Sequence, residues 1–249
     1  MLALIRLLLM TITLVIISII VCIYSLLRPF HRNNVYIASM IMGKMSKLVG
    51  ISVEVRVPES IKKLGPAVYI ANHQNSYDLL TVSGAVQPNT VTLGKKSLKW
   101  IPFFGQMYWL TGNILIDRKN ASKAMNTIAI AAKKIKEKQL SVLLFPEGTR
   151  SKGKGLLPFK RGAFLTAIQA NVPIVPICVS NLHGAIKLNR WNNGKVIIEC
   201  LDPLYLSDDD KSDIKVITTK AHQLMSAKIA QLNEEIASTE ESKVNETSE

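Results

Sequence analysis

The chain has 249 residues, enough for one α/β domain with accessory segments. Its net charge is +13, and residues 234–249 contribute six acidic residues and one lysine. Residues 1–233 therefore hold 30 Lys and Arg residues against 12 Asp and Glu residues, a net charge of +18. So high a positive charge favours a polyanionic partner. An anionic membrane is favoured over nucleic acid, because the chain has an apolar N-terminus and no recognisable nucleic-acid motif.

The N-terminal stretch is apolar. Leu7–Leu27 holds 21 residues without a formal charge between Arg6 and Arg28. As a helix it is about 31 Å long, roughly one hydrocarbon core. Because Arg28, His31 and Arg32 outnumber Arg6, the positive-inside rule places the following domain in the cytoplasm.

The second segment, Val35–Val49, is amphipathic, with apolar residues at helical spacing. This pattern is typical of a helix in the membrane interface, although a core-facing helix has the same pattern. The first segment either spans the bilayer or forms a hairpin in one leaflet with the second, and the sequence leaves both open. We therefore assign residues 1–49 to N-terminal membrane-associated helices.

The three cysteines have no metal-ligand spacing and are expected to be buried free thiols. They are Cys22, Cys178 and Cys200.

Strands and helices alternate in residues 50–236, which predicts an α/β domain with a mixed, largely parallel sheet flanked by helices. Residues 237–249 are polar and acidic and are predicted to be a disordered tail. The aromatic run Trp100–Leu110 predicts a surface that contacts acyl chains or lipid. The predicted strands are Ile51–Val57, Ala67–Ala71, Thr90–Leu93, Gly112–Arg118, Ser141–Phe145, Val172–Val179 and Val196–Cys200, and the helices are Leu79–Val86, Asn120–Gln139, Gly162–Ala170 and Asp209–Ile236.

A histidine and an aspartate follow the second of these strands, five residues apart. Imidazole and carboxylate can form a proton relay, with His73 as the base and Asp78 orienting it. On a regular helix, residues five apart diverge by roughly 140°, so the pair can meet only if the chain turns after Ala71. Asn75 or Ser76 is then a suitable N-cap for a helix that begins near Asp78.

Two arginines lie at the carboxyl ends of other predicted strands: Arg118 is the last residue of one, and Arg150 follows the next. In open α/β sheets, ligands bind at the carboxyl ends of the strands, so these segments are expected to converge with His73. Arginine binds phosphate with a fixed fork of donors, and the turn at Gly148 and Thr149 offers backbone amides and a hydroxyl. The sequence thus predicts a base beside an anion site.

Three further charged residues have two interpretations each. Glu147 either accepts a hydrogen bond from a substrate hydroxyl or pairs with Arg118 or Arg150 to fix the loop. Lys95 and Lys96 either add positive charge to the anion site or form a solvated pair.

Four blocks of the chain together resemble the glycerolipid acyltransferase family. They occur in the family's order over nearly the whole chain, and Lys95–Leu98 also matches. Asn113–Leu115 stands where some relatives have an aromatic residue, which concerns the shape of the pocket. The four blocks are His73-x4-Asp78, Gly112-x3-Ile116-Asp117-Arg118, Phe145-Pro-Glu-Gly-Thr-Arg150 and Val172-Pro-Ile-Val-Pro-Ile177.

The resemblance implies transfer of a fatty acyl group from acyl carrier protein or coenzyme A to the 2-hydroxyl of 1-acyl-sn-glycerol 3-phosphate (lysophosphatidate), giving phosphatidate for phospholipid biosynthesis. It implies His73 as the base, Asp78 as its partner, and no covalent acyl-enzyme. The phosphate contacts fall to Arg118 and Arg150, with Glu147–Thr149 and Lys95 or Lys96. The family uses no metal and no organic cofactor, and its bacterial members lie on the cytoplasmic face of the inner membrane.

Three alternatives stay open. The acceptor can be glycerol 3-phosphate or another lysophospholipid, because pockets of compatible charge look alike in sequence. A lipid hydrolase would use the same His73 and Asp78 to activate water. A membrane-bound sensor of anionic lipid would bind without turnover.

Overall fold

A computed structural model describes the backbone of residues 1–117 and 121–246 and the side chains of 1–117 and 122–239. Seven strands form one sheet in the order β1-β7-β6-β2-β5-β3-β4, in which only β6 and β7 pair antiparallel. The predicted mixed, largely parallel sheet is therefore confirmed. The strands are β1 (Ser52–Arg56), β2 (Val68–Ala71), β3 (Thr90–Lys95), β4 (Ile114–Ile116), β5 (Ser141–Leu144), β6 (Ile174–Val179) and β7 (Lys195–Cys200).

Nine α-helices cover the sheet in the described part of the chain. Two of them, α3 and α5, were not predicted as helices from the sequence. The helices are α1 (Leu2–Leu26), α2 (Asn34–Gly43), α3 (Glu59–Lys62), α4 (Asp78–Thr81), α5 (Phe104–Leu110), α6 (Ala121–Lys138), α7 (Gly162–Ala170), α8 (Asp208–Ser212) and α9 (Ile214–Glu246), with 3-10 turns at Lys44–Val49, Val82–Ala85 and Lys96–Trp100.

The two faces of the sheet bury two separate apolar clusters. Helices α1, α2, α4 and α5 pack on the face that presents Tyr69 and Leu143. Helices α6, α7 and α9 cover the opposite face, which presents Ile70 and Val142. This alternation along β2 and β5 follows from the two-residue period of a strand, and a sheet covered on both faces explains why these strands are continuously apolar.

The C-terminal helix α9 is longer than the sequence predicts. It continues to Glu246 and so includes residues 237–246, where the sequence analysis expects a disordered tail. A helix that is already nucleated on a packed surface adds residues at little cost, and Glu, Lys and Ala suit its extension. The boundary between residues 1–49 and the α/β domain stays a prediction.

Both ends of α1 contact the domain that follows it. At its start, Arg6 is 5% exposed and donates hydrogen bonds to the carbonyl oxygens of Leu188, at 3.2 Å, and Trp191, at 2.8 Å. Beyond its end, the amide of Phe30 donates to Leu110 O at 3.3 Å. Arg6, treated in the sequence analysis as a flanking charge, is thus an anchor.

Among the described residues, α1 is the one helix long and apolar enough to cross a membrane. The mean hydropathy of its most apolar window is 2.9, and 17% of that window is buried. Its outer face therefore leaves a continuous row of leucine and isoleucine side chains exposed. Four aromatic side chains nearby are also exposed: Phe30, Trp100, Phe103 and Trp109.

Candidate active site

The candidate catalytic corner, formed by His73 and Asp78, lies where β2 ends and the chain turns into α4. His73 Nδ1 and Asp78 Oδ2 are 2.6 Å apart, with side chains 16% and 2% exposed. The same carboxylate oxygen accepts the amides of Gln74, at 2.6 Å, and Asn75, at 3.1 Å. The five-residue spacing therefore closes as predicted, since the carboxylate at the start of α4 reaches back to the turn before it.

The predicted N-cap at Asn75 or Ser76 is wrong. Helix α4 is preceded by Tyr77, which makes no side-chain cap. Asn75 Oδ1 instead accepts the Tyr77 amide at 2.8 Å, which tightens the turn. The first-turn amides of Leu80 and Thr81 donate to Tyr77 O, at 2.8 Å and 3.1 Å, so they do not need a capping side chain.

The imidazole of His73 is fixed on one face by an aromatic ring. Phe145, at the end of β5, stacks on it with centroids 4.1 Å apart and an interplanar angle of 17°. Since Nδ1 faces Asp78, Nε2 is the nitrogen left for a substrate proton. The burial of one ring face leaves the imidazole little freedom to rotate.

The loop after β5 makes hydrogen bonds to both backbone groups of His73, its amide and its carbonyl. Glu147, 2% exposed, accepts the His73 amide at Oε1, at 2.6 Å. The amide of Ser151 donates to His73 O at 2.8 Å, and that of Lys152 donates to Gln74 O at 3.0 Å. The loop that carries Arg150 is therefore hydrogen-bonded to the residue predicted to be the base.

Among the described residues the carboxylate of Glu147 makes no ion pair with Arg150, one of the two arginines that the sequence suggested as its partner. Its second oxygen, Oε2, accepts the amide of Leu157 at 3.1 Å, so both oxygens take backbone amides. Burial raises the pKa of this carboxyl group, and the two amides, of His73 and Leu157, partly oppose that rise.

The predicted anion-binding residues lie along the same edge of the sheet. Lys95 ends β3, which is separated from β2 by β5, so the two chain ends are about 10 Å apart. Lys95, Lys96, Thr149 and Arg150 are exposed. Arg118 lies outside the described residues.

Gly148 has a left-handed backbone with φ of +70°, and a side chain packs over it. A Cβ at this position would lie 2.9 Å from Lys160 Cδ and 3.0 Å from Lys160 Nζ. The Lys160 amide also donates to Pro146 O at 2.8 Å. Lys160 was not predicted as a site residue, because it is twelve residues from Gly148 in sequence and only the path of the loop brings its ammonium to the turn.

An apolar cavity of about 190 Å³ opens beside Gly148 and Lys160, between the sheet and helices α6 and α7. Its wall is formed mostly by aliphatic side chains, including Leu93, Ile116, Ile128, Val142 and Leu144. The apolar cavity and the ammonium of Lys160 therefore lie side by side at one end of the predicted site.

Two of the three cysteines lie in strands of the sheet, Cys178 in β6 and Cys200 in β7. Cys178 and Cys200 are buried, and burial raises the pKa of both thiols, that of Cys200 to about 12. The prediction of buried free thiols is confirmed for these two, while Cys22 is a free thiol of intermediate exposure.

A family model described as Acyltransferase matches residues 52–180. The chain is 49% identical to a 1-acyl-sn-glycerol-3-phosphate acyltransferase of Haemophilus influenzae, over 95% of this chain and 99% of that protein. It is 50% identical to the protein of the same name from Escherichia coli, over 91% and 94%.

The fold also matches a solved structure. The crystal structure of the 1-acyl-sn-glycerophosphate acyltransferase of Thermotoga maritima aligns with a TM-score of 0.73 at 23% sequence identity. The alignment covers 93% of this chain and 94% of that one. At this identity the comparison supports the fold.

Proposed function

We propose that this chain, which belongs to the acyltransferase family, transfers a fatty acyl group from an acyl thioester to the 2-hydroxyl of 1-acyl-sn-glycerol 3-phosphate. The product is phosphatidate, an intermediate of phospholipid biosynthesis. The observation that carries the proposal is the 2.6 Å contact between His73 Nδ1 and Asp78 Oδ2 at the end of β2. The names of the similar proteins supply the acceptor and the reaction class.

Proton transfer begins at His73. Asp78 keeps the proton of the imidazole on Nδ1, so Nε2 accepts the proton of the 2-hydroxyl as its oxygen attacks the thioester carbonyl. The resulting imidazolium is stabilised by the Asp78 carboxylate. Collapse of the tetrahedral intermediate breaks the C–S bond, and the imidazolium returns the proton to the leaving thiolate. His73 is thereby regenerated without a covalent acyl-enzyme.

The phosphate of the acceptor binds to the cations along the same edge of the sheet. Arg150 supplies a fork of donors, and the turn at Gly148 and Thr149 supplies an amide and a hydroxyl. The support for this assignment is the hydrogen bond from Ser151 N to His73 O, which ties the Arg150 loop to the base. Lys95, Lys96 and Arg118 complete the proposed anion site, and Lys160 adds a cation that its contact with Gly148 suggests.

The apolar N-terminal region associates with a membrane, since both the acceptor and the product are lipids. We assign α1 to one leaflet, because Arg6 at its start and Phe30 beyond its end both contact the same folded domain. A helix that crossed the bilayer would place these ends about 30 Å apart on opposite sides. Exposed Trp100 and Trp109 suit the headgroup level, where Trp is enriched.

The basic surface then faces anionic headgroups, at about 1 kcal/mol for each well-placed Lys or Arg. We assign the protein to the cytoplasmic face of a bacterial inner membrane, where acyl carrier protein and coenzyme A thioesters are both available as donors. The support is the net charge of +18 over residues 1–233, because the cytoplasmic leaflet is the one that carries a negative surface potential.

The test is acylation of lysophosphatidate by the purified full chain in detergent, with the wild type beside His73→Ala. We expect thioester-dependent formation of phosphatidate that falls by at least about 10³-fold in the variant, because the general base is lost. A near-wild-type rate in His73→Ala would refute the role of His73. Release of free fatty acid without acylation of lysophosphatidate would refute the reaction.

A further inference from the structure

Glu147 is buried beside His73, and its contacts differ from those of a substrate ligand. Oε1 accepts the amide of His73 at 2.6 Å, and Oε2 accepts the amide of Leu157 at 3.1 Å. The residue is 2% exposed. A buried carboxylate is costly unless hydrogen bonds compensate its charge, and here two amides do so. The carboxylate is therefore occupied by the protein itself.

The residues on either side of His73 are held by their own side-chain amides. Asn72 exchanges two hydrogen bonds with the backbone of Val179, at 3.0 Å to its carbonyl and 2.8 Å from its amide. Gln74 donates to Ser180 O at 2.8 Å and accepts the amide of Leu182 at 2.7 Å. Both side chains are nearly fully buried, at 5% and 6% exposed. The end of β6 thus fixes the peptide from the side opposite Glu147.

From this frame we infer that Glu147, Asn72 and Gln74 are positioning residues, which fix the His73 peptide so that its imidazole meets the acceptor hydroxyl in one geometry. None of the three touches the substrate. The inference rests on the proposed function of His73 as the base, and it assigns to Glu147 a role in the rate of the chemical step rather than in the affinity for lysophosphatidate.

The magnitude expected of such a role is large, because catalysis by a base depends on its placement. A displacement of about 1 Å at the reacting group costs on the order of 10²-fold in rate. The imidazole has two other constraints, Asp78 and the ring of Phe145, so the loss of the bond to Glu147 displaces it without releasing it. Removal of Glu147 is therefore expected to lower kcat strongly while the base stays present.

The decisive variant is Glu147→Gln, because a glutamine amide can accept only one of the two N–H donors and turns its own N–H₂ toward the other. The matched control is Glu137→Gln, which makes the same change on the exposed face of α6. Steady-state kinetics with lysophosphatidate and an acyl thioester give kcat and KM separately. We expect kcat to fall by about 10²-fold in Glu147→Gln with both KM values within about threefold of wild type, and no change in the control.

A second variant leaves Glu147 intact. Gln74→Met keeps the volume of the side chain but removes its hydrogen bonds to Ser180 and Leu182. We expect a fall in kcat of about tenfold with KM retained. This variant decides the question if thermal unfolding shows that Glu147→Gln does not fold.

The outcomes separate the inference from the proposed function. If Glu147→Gln raises the KM for lysophosphatidate at least about tenfold and keeps kcat, Glu147 is a substrate ligand and the inference fails. Wild-type kcat in the folded variants would also overturn it, even if His73→Ala is inactive. Activity in His73→Ala would instead refute the proposed function of the base.

Discussion

Two groups of residues at the carboxyl edge of the sheet differ in the contacts that the rest of the protein makes to them. One group is the corner at His73, and the other is the rim, the row of exposed cations. At the end of β2, His73 is bonded at both its peptide groups, stacked on Phe145 and paired with Asp78. Along the rim, the cations Lys95 and Arg150 are exposed and make no ion pair within the part of the chain that the structure describes.

The roles proposed for the two regions account for the difference. A base must hold one geometry before the substrate arrives, since the substrate cannot organise it during the reaction. A phosphate brings its own charge and several acceptor atoms, so exposed cations on long side chains can close on it. Substitutions at the corner should thus affect kcat, and substitutions at the rim should affect KM.

The largest effect should come from Asp78→Asn. Three N–H donors, from His73 Nδ1 and the amides of Gln74 and Asn75, converge on Asp78 Oδ2, and a neutral amide cannot stabilise the imidazolium. We expect kcat to fall by about 10³-fold or more with little change in KM, as for the loss of a comparable carboxylate in an analogous histidine relay. A loss confined to KM, measured in the same acylation assay, would contradict the division between corner and rim.

At the rim, Arg150→Ala should raise the KM for lysophosphatidate by about 10- to 100-fold, since charge-assisted hydrogen bonds to phosphate contribute about 1.5–3 kcal/mol. The value of kcat should change by less than about threefold. Lys136→Ala, which removes an exposed cation from α6, is the matched control and should leave KM unchanged. A drop in kcat without a change in KM would show that the loop acts on the base alone.

Lys160→Met tests a smaller contribution at the same rim. The ammonium lies beside the turn at Gly148 but is exposed, so its Coulomb interaction with a phosphate is screened. We expect the KM for lysophosphatidate to rise by about two- to fivefold with unchanged kcat. If the apolar stem of Lys160 were its main contribution, methionine would preserve KM at the wild-type value.

The smallest effect concerns stability far from the corner, where Arg56 on β1 pairs with Glu54 and with Glu235 of α9. Hydrogen bonds from Lys195 and Arg56 lower the pKa of Glu54, and a hydrogen bond from Arg56 lowers that of Glu235. Because the folded pKa values are depressed, this stabilisation is present above the unfolded value of about 4.3 and is lost as the pH falls through the folded values.

The measurement is the difference in Tm between wild type and Arg56→Leu at pH 7 and at pH 3. We expect a small difference at pH 7 that shrinks at pH 3, since these carboxylates are partly exposed and screened. The rate of acylation at pH 7 should be equal in both proteins, because the ion pairs do not contact the corner. A difference in Tm that grows at low pH would contradict the assigned pKa shifts.

Much of the fold was predictable because local patterns decide it. Continuous apolar runs such as Ser141–Phe145 predicted buried strands, and all four residues of β5 are buried. Arg6 was not predictable as an anchor, since its carbonyl partners at Leu188 and Trp191 are more than 180 residues away.

The sequence by itself determined that His73, Asp78 and Arg150 share one edge of the sheet, because they follow two strands, β2 and β5, that pair in parallel. It also determined the spacing that lets Asp78 reach back to His73. Only the tertiary structure decided what Glu147 binds. Its two amide partners, at His73 and Leu157, are 74 and 10 residues away in sequence. A glutamate close to an arginine in sequence suggests an ion pair, and nothing local indicates that the fold will bury its carboxylate against backbone amides.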